Sequence, residues 1–108
     1  MKEMNEKIVL SGSEAIDILK KLEFIIVSLH NIGASFAKPV GVSISNEEYE
    51  LYCKETTSFI DDYDVVGKVI SIRRTISDHF DDELGDDDMD DIEREMQDIN
   101  LWPFKMEK

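Results

Sequence analysis

Apolar residues return along this chain at steps of three and four, the period that places them on one side of an α-helix. The longest series is Ala15, Ile18, Leu19, Leu22, Ile25, Ile26, Leu29, Ile32 and Phe36. Ser11 precedes it, with Glu14 three positions later, the spacing of a capping box in which each side chain satisfies an amide of the first turn. Ile16, Phe24 and Val27 lie off the stripe, which predicts a central helix buried on more than one side. Gly33 is the expected end, and Pro39 restricts the backbone beyond it.

After an extended connection over Lys38–Ile44, Ser45 and Glu48 repeat the capping-box spacing. Tyr49, Tyr52, Cys53, Thr56, Phe59, Ile60 and Tyr63 then continue at helical steps. The run Asp61-Asp62-Tyr63-Asp64 predicts a break, with Asp62 or Asp64 capping a further helix. Val65, Val69, Ile72, Ile76 and Phe80 follow at i, i+4, i+7, i+11 and i+15. A strand over Val65–Ile72, rich in β-branched residues, is the rival reading, and the period running on to Phe80 favours helix. Leu84-Gly85 marks a turn, and Asp86, Asp87 and Asp88 suit a helix N-terminus, where carboxylates complement the macrodipole. Met89, Ile92, Met96 and Ile99 predict a last helix, and Trp102 and Phe104 are expected to anchor the C-terminus onto the core. The fold class expected is all-α, a compact bundle of about four helices in a single helical domain, residues 1–108.

Composition changes this picture in one place. The 108 residues are 42% hydrophobic, enough for a core, yet 25 Asp and Glu against 12 Lys and Arg leave a formal charge of −13. That sign repels nucleic-acid phosphates and anionic lipid headgroups and attracts basic proteins. Twelve acidic residues fall between Asp78 and Asp98, opposed there only by Arg94, so this segment carries −11 and the other 87 residues −2. On a Met89–Ile99 helix, Met89, Ile92, Met96 and Ile99 share one side. Asp87, Asp90, Asp91 and Asp98 point the opposite way, and Glu93 and Glu95 flank the stripe. The candidate partner-binding residues are therefore Asp81, Asp82, Glu83, Asp86, Asp87, Asp88, Asp90, Asp91, Glu95 and Asp98. The competing reading is a solvated face that keeps the chain soluble.

Other chemistry finds little support. Cys53 is the sole cysteine, so neither an intrachain disulfide nor a thiolate metal cluster is available, which fits a reducing cytoplasm. Its place on an apolar stripe predicts a buried, inert thiol. His30 and His79 sit in no nucleophile motif, and the five glycines form no phosphate loop, so no enzyme activity and no cofactor are expected. Asp86, Asp88 and Asp90 match the first acidic positions of a calcium loop, but Asp91 stands where its glycine belongs and Gln97 where its glutamate belongs, so no metal site is expected. His79 with Asp82 and Glu83 reads as a solvated helix end. The basic pair Arg73-Arg74 is expected to balance the acidic ridge within the fold. No secretory signal and no membrane-spanning stretch is recognised.

A small, strongly acidic, helical chain without catalytic residues, with its charge gathered over Asp78–Asp98, resembles the immunity proteins of bacterial toxin systems. These are the antidotes of colicin-type nucleases and of contact-dependent growth inhibition toxins. The resemblance implies a non-catalytic cytoplasmic inhibitor used in bacterial competition, bound to a basic toxin domain whose phosphate-holding cleft the acidic surface blocks. Two alternatives share parts of that logic. One is a phage- or plasmid-borne inhibitor whose spaced carboxylates mimic DNA, and the other is an adaptor subunit whose acidity serves only solubility.

Overall fold

The computed structural model describes residues 1–103. Four α-helices follow one 3₁₀ turn: α1 over Gly12–Ser35, α2 over Asn46–Asp62, α3 over Val65–Ser77 and α4 over Asp91–Met96, with the turn at Glu3–Asn5. The chain is all-α, and it separates into two compact units. One spans Leu10–Ile76 and holds the three long helices; the other joins Met1–Val9 to the segment that begins at Ser77.

In the helical unit the caps form where the sequence places them. Ser11 Oγ accepts the Glu14 amide at 3.0 Å and Glu14 Oε1 accepts the Ser11 amide at 3.0 Å, closing both halves of the capping box. Ser45 Oγ likewise accepts from the Glu48 amide at 3.1 Å. Here the Glu48 carboxylate receives the Ser45 hydroxyl and pairs with Lys38, which lowers its pKa. Gly33 does not end α1. The helix runs on to Ser35, because an isolated glycine interrupts no hydrogen bond, and the Pro39 region is what stops propagation.

Residues 65–77 form a helix rather than a strand. The break before it is made by Asp64, which adopts a left-handed backbone with φ of 47° and accepts the Gly67 amide on Oδ1 at 3.2 Å. Any β-carbon on Gly67 would collide with that carboxylate, so the aspartate cap and the glycine belong together. Lys21 on α1 reaches Ser71 on α3 at 2.8 Å.

The core of this unit is thin. Ile18, Ile25, Phe59 and Ile72 are its buried apolar side chains among the described residues. Phe24, Phe59 and Tyr63 form a triangle of rings with centroids 5.7–5.9 Å apart, and Phe36 stacks on Tyr52 at 5.4 Å. The expectation that α1 is buried on more than one side is not met among the described residues. Ile16, Leu19 and Ile26 are each more than half exposed, and Leu22, Val27 and Leu29 are exposed as well. Cys53 is exposed too, not the buried thiol its place on an apolar stripe predicts.

In the other unit the predicted Met89–Ile99 helix shrinks to the six residues of α4. Met89 and Ile92 are half-buried, whereas Met96 and Ile99 are exposed rather than core. Trp102 is 81% exposed and so is not packed into a core; Phe104 lies outside the described residues.

Candidate functional site

The acidic segment is organised around two buried polar residues, Asn5 and Asp91, which are 4% and 2% exposed. Asn5 comes from the 3₁₀ turn and acts on both backbone groups of Asp81. Its Oδ1 accepts the Asp81 amide at 2.8 Å, and its Nδ2 donates to the Asp81 carbonyl at 3.2 Å. The same Nδ2 donates to Asp91 Oδ2 at 2.8 Å, where the Lys2 amide also donates at 2.8 Å. Lys2 Nζ pairs with Asp81 at 2.8 Å and reaches the Glu83 carbonyl. A buried carboxylate is tolerated only when its oxygens are paired or hydrogen-bonded. Asp91 meets that condition with three donors, since Arg94 Nη1 approaches its Oδ1 at 2.7 Å.

Arg94 is the second organiser. Its Nε and Nη2 hold the two oxygens of Asp87 at 2.8 Å each, the bidentate geometry in which guanidinium–carboxylate pairs are strongest. Nη2 also donates to the Met89 carbonyl at 3.1 Å. The loop over residues 85–89 closes beneath it. The Gly85 amide donates to the Met89 carbonyl, the Asp88 amide donates to the Gly85 carbonyl, and Asp88 turns left-handed at φ 59°. A β-carbon on Gly85 would come within 2.9 Å of Arg94 Nη2, so the glycine admits the guanidinium. Asp90 caps α4 by accepting the Glu93 amide at 2.7 Å.

The electrostatics follow from these partners. The Arg94 guanidinium holds Asp87 down to about 2. The Asn5 amide, then the Lys2 backbone amide, hold Asp91 down to about 2. Arg94 is raised further by Asp87 and Asp91, and Lys2 is raised by Asp81. Of the three residues at calcium-loop positions, Asp90 is turned to the Glu93 amide as the cap of α4. Among the described residues no three His, Cys, Asp or Glu side chains are placed to hold a metal ion.

The ten candidate residues therefore divide. Asp91 is the correction: it does not lie on the outward face with Asp87, Asp90 and Asp98 but is buried, because the N-terminal turn covers the side of α4 that the helical period assigned to solvent. Asp81 and Asp87 are paired, and Asp90 is a cap. Asp82, Glu83, Asp86, Asp88, Glu95 and Asp98 are exposed, and among the described residues their side chains make no ion pair. Lys2 and Asn5 escaped the sequence reading. The charge of Lys2 opposite an acidic segment was the one available signal, and nothing in the spacing marks Asn5.

A groove of about 440 Å³ lies between α1 and α2, walled by Phe24, Phe59 and Tyr63, with Glu55 and Asp62 among its lining residues. Lys68 sits over the Phe24 ring, 5.4 Å from its centroid. No described helix is long and apolar enough to cross a membrane. No family model matches the chain, and neither a curated protein nor a solved structure does.

Proposed function

We propose that this chain is a non-catalytic binding protein whose acidic unit engages a cationic protein, as small acidic immunity proteins engage their toxins. The observation that carries the reading is how the segment uses its cations. Lys2 and Arg94 are spent on Asp81, Asp87 and Asp91, which ordered backbone holds in place, and Asp82, Glu83, Asp86, Asp88, Glu95 and Asp98 are left facing solvent. A backbone already held in place loses little freedom when a cation arrives, and the summed field of the exposed carboxylates steers a basic partner toward them. Charge is also segregated between the units. Met1–Val9 with Ser77–Lys108 contains 15 acidic and 5 basic residues, a charge of −10, whereas Leu10–Ile76 contains 10 and 7, a charge of −3.

The basic protein best suited to such a surface is a toxin domain that must hold phosphates, a nuclease above all. The reading places the chain in the cytoplasm, where the exposed Cys53 thiol stays reduced. The test captures partners from the source cell on the wild-type chain and on Asp82→Asn/Asp86→Asn/Asp88→Asn/Asp98→Asn, which leaves every internally paired residue intact. A basic partner is expected, bound at least about tenfold more slowly by the variant, with affinity that falls as salt is added. If that partner is a nuclease, the wild-type chain is expected to block its activity. Equal binding by the variant, or a salt-independent complex, overturns the acidic surface as the contact.

A further inference from the structure

The exposed apolar side of α1 has a spacing of its own. Ala15, Leu19, Leu22, Ile26, Leu29 and Gly33 succeed one another at steps of 4, 3, 4, 3 and 4. This is the alternation of the two apolar positions of a heptad, and at 100° per residue the six fall within about 80° of the helix circumference. The row is distinct from Ile18 and Ile25, which are buried in the chain's own core, and from the half-buried Ile32. Leu19 and Ile26 are 58% and 59% exposed, Leu22 and Leu29 are 37% and 42%, and Ile16 beside them is 52%.

We infer that this seam pairs with the same seam of a second copy of the chain, α1 against α1, in a two-fold symmetric dimer. Three observations select that occupant. First, a 4-3 seam is filled by knobs from a helix with the same spacing, and α1 is itself such a helix, 24 residues or about 36 Å long. Second, the charge permits it. α1 carries three acidic and two basic residues and its whole unit only −3, so two copies meet there without the repulsion that two acidic units would bring. Third, the area is of the right order. A strip about 36 Å long and about 10 Å across covers about 360 Å², nearly half of the about 800 Å² per partner of a standard interface, and its flanking side chains add to it. A helical unit with four buried apolar side chains gains the rest of its core this way.

The test is sedimentation equilibrium of the full chain, which should report about twice the 12.5 kDa protomer mass. Leu19→Glu/Ile26→Glu should weaken the dimer at least about 100-fold. A wild-type chain that stays a folded monomer at about 100 µM overturns the inference, and so does a double variant that dimerises as tightly as wild type. Because the variant could lose its fold together with its partner, cysteine pairing supplies a readout that leaves the seam intact. In a Cys53→Ser background, Leu22→Cys should oxidise to a disulfide dimer if the helices run parallel. A mixture of Leu22→Cys with Ile26→Cys should do so if they run antiparallel. Lys20→Cys, on the opposite side of α1, should not. Cross-linking no faster than the Lys20→Cys control in both arrangements also overturns the inference.

Discussion

Each of the two units of this chain has its own internal support, and the two supports are opposite in kind. Among the described residues, those buried in the helical unit are Ile18, Ile25, Phe59 and Ile72, all apolar. In the acidic unit they are Asn5 and Asp91, both polar. A six-residue helix such as α4 is too short to persist on propensity, since nucleation costs more than its few hydrogen bonds return. What fixes it is a set of donors and acceptors that satisfy one another: Asn5 on the Asp81 backbone, three donors on Asp91, and the Arg94 fork on Asp87. The long helices follow the ordinary route of an apolar period and caps. The charges of their unit nearly balance, 10 acidic against 7 basic residues.

The largest expected effect breaks the apolar side of this comparison. Phe59 is a buried aromatic ring of the helical unit, in contact with both Phe24 and Tyr63. Phe59→Ala should cost about 3–5 kcal/mol of stability, from lost transfer energy and the cavity left behind. Urea unfolding followed by far-ultraviolet circular dichroism measures it. In so thin a core that loss is a large fraction of the total, and a cost under about 1 kcal/mol would show that this ring cluster is not what holds α1 to α2.

A smaller effect breaks the polar side. Asn5→Ala leaves both backbone groups of Asp81 without their partner and removes one of the three donors on Asp91. An abandoned buried polar group costs about 1–3 kcal/mol. Hydrogen exchange should quicken at the Asp81 and Arg94 amides and stay unchanged at residues in the middle of α1. Faster exchange throughout α1 would show that the two units do not differ in what holds them.

The same contrast explains what could be read in the sequence. Helices α1 to α3 were legible because period, capping pairs and the Asp64 break are local signals that agree with one another. The exposed half of α1 was misread because periodicity reports that a face is apolar, not what covers it. In the acidic unit the concentration of charge was plain. The position of Asp91 was hidden, since its burial depends on Asn5, 86 residues away in the chain, and no helical wheel contains that contact. Met96 and Ile99 fit a helical stripe, but α4 ends before the stripe can be used.

The smallest expected effect is silent at neutral pH and separates the two organisers of the acidic unit. Asp87 and Asp91 are both held at about 2, below the ordinary 3.8. A depressed carboxylate contributes stability that is present above its unfolded pKa and disappears as pH falls through the folded value. The acidic unit should therefore keep its structure at pH 5–8 and loosen between about 4 and 2. The two groups are depressed by different partners: Arg94 comes first for Asp87, and the Asn5 amide and the Lys2 backbone amide come ahead of Arg94 for Asp91. Arg94→Gln should then raise Asp87 nearly to the ordinary carboxylate value and raise Asp91 less, whereas Asn5→Ala should move Asp91 and leave Asp87 low. Carbon-detected titration of the aspartate carboxyls distinguishes the two. If either variant moves both groups equally, the guanidinium and the N-terminal turn form one inseparable support.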